Sequence, residues 1–290
     1  MVIPVIILNH NSADDCRKCV SFLKRQCNVK LEIIIVDNCS RIDDCDEVKK
    51  LCKEQNCIFI QAHENRGYNA GNNIGLRYVA QGGYEYAMIV NPDMEFPEVD
   101  YVSKMIGQLN NNSDIAVIGA DIVRIDGAHQ NPLKQDRWKD CFDWIVTLFK
   151  SQHDEVYVDN YHKSHYCNKV SGCNLIVRMD FIRSIGFFDE NVFLYCEEAI
   201  LSRQVERAGK RLYYLADVHA LHRHIKSVKG NPIKRLSIWR DSRIYYINTY
   251  SNVFWLAKKI ACCSVNLHVF IFTVQSKIKQ TWPIIKGKLF

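Results

Sequence analysis

A carboxylate at the lip of a buried strand is placed to hold a cation, and Asp93 is such a residue. It closes Asn91-Pro92-Asp93, directly after the apolar run Ala87-Met88-Ile89-Val90. Strands of open α/β sheets point their C-terminal ends at the crevice where ligands bind, and Pro92 keeps the chain from continuing in the sheet. Hard divalent cations take oxygen ligands, and Mg²⁺ commonly keeps phosphates as partners. Asp93 could therefore hold an ion against a diphosphate; a turn that merely ends a strand is the alternative. Asp37 closes a second apolar run, Ile33-Ile34-Ile35-Val36. Its carboxylate could accept from a ligand N–H or close an Asx turn. Glu197 and Glu198 open a helical pattern, where the helix dipole favours ionised carboxylates, as a general base requires. Acidic first turns also serve stability alone.

Other constellations are weaker. Asn65–Gly75 combines glycines and amides and permits close backbone approach to a ligand, but it lacks the G-x-G-x-x-G fingerprint of a dinucleotide site. Cys16-Arg-Lys-Cys19 matches C-x-x-C, yet Cys16, Cys19, Val20, Leu23 and Cys27 share one helical face and no second pair completes a zinc site. His219, His222 and His224 likewise lack matching cysteines. The thirteen scattered cysteines, with no basic leader at Met1–His10, read as reduced thiols of a cytosolic protein.

The elements that must position these residues alternate. Strands are expected at Val2–Leu8, Leu31–Asp37, Cys57–Gln61, Tyr84–Asn91, Ile115–Ile118, Lys169–Arg178 and Arg211–Leu215. Helices are expected after the cap Ser12, between the second and third strands with Val48, Leu51 and Cys52 inward, from Pro97 with Val99, Val102, Met105, Ile106 and Leu109 as its apolar face, near Met179–Ser184, and from Glu197 to Ala208 before Gly209. Such βαβ alternation predicts an α/β fold with a mainly parallel sheet covered on both faces. Asp121–Lys169 reads as irregular, with some helix around Phe142–Phe149.

The net charge of +6 is uneven. From His222 to Phe290 thirteen Lys/Arg stand against the single acid Asp241, a net +12 that leaves −6 for the rest. Trp239, Tyr245, Tyr246, Tyr250, Phe254, Trp255 and Trp282 accompany those cations. A basic, aromatic, helical tail fits anionic lipid head groups; nucleic acid is the rival polyanion and is not expected as a partner. The apolar stretch Ile260–Val274, interrupted by Asn266 and His268, is short for a span of about 20 residues and is expected to lie on a membrane.

Four segments stand in order: Ile34-Ile35-Val36-Asp37-Asn38; Glu64-Asn65-Arg66-Gly67-Tyr68-Asn69-Ala70-Gly71-Asn72-Asn73-Ile74-Gly75; Val90-Asn91-Pro92-Asp93; and Val170-Ser171-Gly172-Cys173-Asn174-Leu175-Ile176-Val177-Arg178. The last leads to Gly186-Phe187-Phe188-Asp189-Glu190 and then Phe193-Leu194-Tyr195-Cys196-Glu197-Glu198. The set, from about Val2 to Ser227, resembles the family 2 glycosyltransferases, in particular the rhamnosyltransferase-like branch of bacterial surface-polysaccharide synthesis. The resemblance implies a GT-A fold, taken over residues 1–225, and the basic, aromatic helical tail then occupies 226–290. It also implies a nucleotide-diphosphate sugar donor, a Mg²⁺ or Mn²⁺ ion and inversion at the anomeric carbon. Carried over by position, Asp37 would touch the donor base with Arg66 nearby, Asn91 and Asp93 would face the donor, and Asp93 would ligate the metal. Glu198 would be the base, Glu197 and Gly172 would lie on the acceptor side, and His222, with Ser227 downstream, would be a further metal or diphosphate contact.

The chain departs from that pattern at three positions. Glu198 replaces the commoner Asp, Ile200 stands where a second acid is usual, and Gln204 where an Arg is usual. These changes bear on acceptor contacts rather than on the donor. The expected activity is transfer of a sugar, L-rhamnose from dTDP-L-rhamnose by the branch resembled, to a lipid-linked oligosaccharide at the cytoplasmic face of the plasma membrane. A UDP-hexose donor, or a sugar-nucleotide-binding scaffold with weakened catalysis, is the alternative.

Overall fold

The structure, a computed structural model, describes residues 1–147, 158, 160–223 and 231–286. The chain forms two compact units. One comprises Met1–Gln135, Glu155–Phe193 and Glu197–Lys226; the other gathers Asp136–Asp154 and Leu194–Cys196 with Ser227–Phe290.

The first unit is built on a sheet of β1 (Val2–Asn9), β2 (Lys30–Asp37), β3 (Ile58–Gln61), β4 (Tyr86–Val90), β5 (Met94–Glu95), β6 (Ile115–Arg124), β7 (His165–Cys167), β8 (Asn174–Arg178) and β9 (Arg211–His222). Their spatial order is β3-β2-β1-β4-β8-β6-β9-β5, with β7 also on β9. Strands β1 to β4 pair in parallel, as does β6 with β9. The expectation of a mainly parallel sheet stops at β8, which runs antiparallel to both β4 and β6. Pro92 does end β4, yet the chain re-enters the same sheet at Met94, against Leu221 and His222 of β9.

Alternation along β1 divides the core. Ile3, Val5 and Ile7 face the layer of α1 (Ala13–Leu23), α2 (Ile42–Gln55) and α4 (Tyr101–Asn111). Ile6 and Leu8 face α3 (Tyr68–Gln81), α6 (Met179–Ser184) and α7 (Glu197–Arg207). The cysteines Cys16 and Cys19 are core residues, whereas Cys27 lies beyond α1 and is exposed. Two cap expectations fail because distant side chains do the work. Ser12 precedes α1 without capping it, and Asp44 accepts from the Ala13 amide at 2.9 Å. Helix α4 starts at Tyr101 rather than at Pro97, with Gln26 Oε1 accepting from the Val102 amide and Val99 left half-exposed.

Helix α3 is absent from the sequence reading, since three asparagines and two glycines in eight residues are poor helix formers. Tertiary contacts reverse that preference. A Cβ on Gly71 would meet Leu8 Cδ1 at 2.5 Å, and one on Gly75 would meet Ile6 Cγ2 at 2.6 Å, so glycine lets the helix lie close on β1. Two of the three buried amides are satisfied outside the helix, whereas Asn72 donates back to Tyr68 O within it at 3.0 Å. Asn73 accepts from the Phe188 amide at 3.0 Å and donates to its carbonyl at 2.8 Å, and Asn69 donates to Asp189 O at 2.7 Å.

In the second unit Trp138–Phe142 forms a 3₁₀ turn before α5 (Asp143–Thr147), where helix was expected; Phe149 lies outside the described residues. Helix α8 (Pro232–Thr249) precedes α9 (Trp255–Lys286). Ala257, Ala261, Ser264, Val265 and Val269 form the buried stripe of α9. Ser264 Oγ accepts from Trp144 Nε1 at 2.9 Å and donates to Cys141 O at 2.8 Å. The helix is longer than expected: Trp255–Ile278 is 24 residues of mean hydropathy 1.3, enough by length and composition to cross a membrane. Its length therefore does not confine this helix to a membrane surface.

Because Ile6 is fully buried beneath Gly75, Gly75→Val should overpack the α3–β1 contact and cost about 1–3 kcal/mol. Thermal unfolding checks this, and an unchanged Tm would mean that α3 does not lie so close.

Candidate active site

The residues singled out in the sequence lie at the edge where β1, β2 and β4 end and β8 begins. Asp37 is fully buried. Its Oδ1 accepts from Asn9 Nδ2 at 2.9 Å and its Oδ2 from the Ser40 amide at 3.2 Å. The carboxylate thus braces the β1 and β2 ends against each other, with Asn9 also donating to Ser40 Oγ and Asp44 Oδ1. The neighbouring Asn38 reaches the glycine-rich segment, donating to Asn65 Oδ1 at 3.2 Å and Gly67 O at 3.3 Å, while its own carbonyl meets His10 Nδ1 at 3.1 Å. Arg66 lies in that segment, largely exposed, 3.4 Å from Glu190 Oε2.

Asn91-Pro92-Asp93 is a turn, with Met94 donating to Asn91 O at 3.3 Å. The turn also sets Asp93 against β9: its Oδ2 is 3.2 Å from His222 Nε2, both side chains being mostly buried. His222 Nδ1 lies 2.6 Å from Gln130 Oε1. A donated Nδ1–H there leaves Nε2 presenting a lone pair to a carboxylate, an arrangement that a shared cation satisfies. One carboxylate and one imidazole fit Mn²⁺ or Mg²⁺ when phosphate oxygens complete the shell. Among the described residues no group of three or more His, Cys, Asp or Glu could hold a metal. His219 instead pairs with Glu98 at 2.5 Å; His224 and Ser227 lie outside the described residues.

The two acidic centres meet through β8. Cys173 O accepts from the Asn91 amide at 2.8 Å, and the preceding Gly172 amide donates to Glu198 Oε1 at 3.2 Å. Gly172 O accepts from Tyr68 Oη at 2.6 Å, and Tyr68 follows Gly67, whose carbonyl holds Asn38. Burial pushes the Cys173 thiol up to about 12, and the charges of Asp93 and Glu198 also raise it, so both carboxylates are sensed at that one residue. Tyr68 carries no motif of its own in the sequence, and only the helical start of α3 turns it into this site.

Beside Glu198 lies a cavity lined by Tyr68, Gly172, Leu175, Phe188, Glu197 and Gln204, among others. Oε2 of Glu197 and Oε1 of Gln204 are buried without a hydrogen-bond partner. The dipole expectation fails for Glu197: burial first, and the charge of Glu198 second, push its carboxyl up to about 8. Ile200 is fully buried in the core.

The family model "Glycosyl transferase family 2" matches residues 5–181. The low-salt glycan biosynthesis hexosyltransferase Agl10 of Haloferax volcanii is 24% identical over 97% of this chain and 83% of its own length. Rhamnosyltransferase WbbL of Escherichia coli is 24% identical over 75% of this chain and 82% of its own. Among solved structures, S. aureus TarS in complex with UDP-GlcNAc aligns with a TM-score of 0.56 and 16% identity, over 94% of this chain and 73% of that one. The Pyrobaculum calidifontis mannosyltransferase PcManGT, in complex with GDP-Man and Mn²⁺, aligns with 0.56 and 13%, over 99% and 79%. These structures share the GT-A fold, with a mixed sheet between helices.

Since the folded-state value of Glu197 lies above its ordinary 4.5, the native state holds the extra proton between about pH 4.5 and pH 8, and stability falls as pH rises through that window. Glu197→Gln should match wild type near pH 4.5 and exceed it increasingly up to pH 8, by about 2–4 °C in Tm per kcal/mol recovered. Equal gaps at both ends of the window would mean an ordinary carboxylate.

Proposed function

The chain belongs to glycosyl transferase family 2, and from that premise we propose that it is an inverting, metal-dependent transferase acting at a membrane surface. The donor is a nucleotide-diphosphate sugar, dTDP-L-rhamnose being the first to test, and the acceptor is a hydroxyl of a lipid-linked oligosaccharide in O-antigen, capsule or cell-wall synthesis.

The observation that carries this reading is the Gly172-Cys173 dipeptide, which Glu198 holds by one amide and Asn91 by one carbonyl. A base and a diphosphate site must flank the same anomeric carbon, and this dipeptide ties the two candidates to one edge of the sheet. Asp93 and His222 would hold a divalent cation, which when bound neutralises the departing diphosphate. Asp37, through Asn9, Ser40 and Asn38, keeps the base pocket in shape, with Arg66 at its rim. Glu198 takes the proton of the acceptor hydroxyl as that oxygen attacks from the face opposite the leaving group. Gly172, Glu197 and Gln204 shape the acceptor side; Glu197, keeping its proton, adds no second negative charge beside the base.

The membrane reading draws on the second unit. Trp255, Leu256, Ile260, Leu267, Phe270, Val274 and Ile278 of α9 are exposed apolar side chains, beside the exposed lysines Lys259 and Lys277. The opposite stripe of the helix packs on protein. A helix half covered in this way suits the lipid interface, as does an excess of cations facing anionic lipid on a cytoplasmic leaflet. The alternative of a UDP-hexose donor has support in the UDP-GlcNAc complex of TarS.

Donor preference follows from a nucleotide-sugar panel read by thermal shift with and without Mn²⁺. Asp93→Ala should abolish metal-dependent nucleotide release. Glu198→Gln should bind donor as wild type does and turn over about 10²–10⁴-fold more slowly. Full activity in either variant would overturn the site.

A further inference from the structure

Strand β5 and the end of β9 form a short antiparallel ribbon, with Glu95 opposite Leu221 and Met94 opposite His222. One step further along that register the Arg223 amide donates to Asp93 O at 2.9 Å. Arg223 therefore stands across the ribbon from the carboxylate that would hold the cation. A guanidinium turned towards Asp93 would compete with a metal for it. Instead Arg223 Nε donates to Glu95 Oε2 at 3.1 Å, on the diagonal that a long side chain can span between paired strands. Among the described residues this is the one hydrogen bond of the Arg223 side chain, so the Nη ends of its fork are open. The side chain of Arg223 is 49% exposed and that of Glu95 19%. An ion pair at such a boundary holds weakly and can be exchanged.

Charge balance gives an open guanidinium at this place a task. Asp93 offsets part of the charge of a divalent cation, and His222 adds none as a neutral imidazole ligand. When the sugar–phosphate bond breaks, the freed terminal phosphate ionises a second time near pH ~6, so the departing diphosphate carries about one more negative charge than the donor brought. Arginines aimed at such developing charge stabilise it. Arg66 lies in the glycine-rich segment against Glu190, whereas Arg223 adjoins Asp93 and His222 through the backbone itself.

We propose that Arg223 is a direct contact to the donor diphosphate, kept off Asp93 by Glu95 until the donor arrives. It then trades Glu95 Oε2 for phosphate oxygens, to which its planar fork can donate two parallel N–H bonds. Glu95 takes the guanidinium back when the nucleotide leaves. The inference rests on the reading of Asp93 as the donor-side carboxylate, and it deepens that reading by naming the residue that meets the phosphates.

Calorimetric titration of the full chain with dTDP, UDP and GDP in Mn²⁺ tests this without acceptor or turnover, the tightest binder of the three serving as the probe. Arg223→Gln should weaken the probe about 10-fold or more, the scale of a lost hydrogen bond to a charged group. Glu95→Gln should tighten it about 3-fold, the scale of a half-exposed ion pair. That gain should vanish in Glu95→Gln/Arg223→Gln, since the two side chains act through each other. Unchanged affinity in Arg223→Gln overturns the proposal. So does a Glu95→Gln gain that persists in the double variant, because removal of a nearby negative charge would then explain it alone. Asp93→Ala separates this proposal from the reading beneath it. If Asp93→Ala binds the probe as wild type does, or if wild type binds none of the three nucleotides, the donor site lies elsewhere and both fall. If Asp93→Ala weakens the probe and Arg223→Gln does not, only the role of Arg223 falls.

Discussion

The antiparallel pairing of β4 with β8, in a register that sets Val90 opposite Asn174, fixes where every acidic group of the site can be. In a wholly parallel sheet the residues before a strand lie at the edge opposite those that follow its neighbour. Reversal of β8 brings its entry, Gly172-Cys173, to the edge where β4 exits into Asn91-Pro92-Asp93. The Asn91 amide then finds the Cys173 carbonyl, and the Gly172 amide is left to orient Glu198. Glu198 and Asp93 are more than a hundred residues apart in sequence, and this one reversal brings the charges of both to bear on Cys173.

That closeness has an electrostatic cost, and the departures from the family pattern bear on it. Two carboxylates open one helix here, and burial first, then the charge of Glu198, disfavours ionisation of Glu197. The chain relieves this by leaving Glu197 protonated, in a cavity whose other polar wall is the neutral Gln204. An arginine at position 204 would favour the charged form of Glu197. With glutamine there, the neutral carboxyl is the stable partner, and the full-length side chain of Glu198 remains the only carboxylate on the Gly172 amide.

Elements with strong periodicity were legible in the sequence. The buried runs of β1, β2 and β4, and the Val48, Leu51 and Cys52 face of α2, declare themselves because local pattern and tertiary burial agree. The acidic residues at strand and helix ends were legible for the same reason, as chemistry at the close of an apolar run. Helix α3 was not, because its glycines and asparagines are chosen for Ile6, Leu8 and Phe188 rather than for helix propensity. Nor were the caps from Asp44 and Gln26, each supplied from a distant part of the chain. The antiparallel entry of β8 leaves no local trace either, and with it the role of Tyr68 stayed hidden.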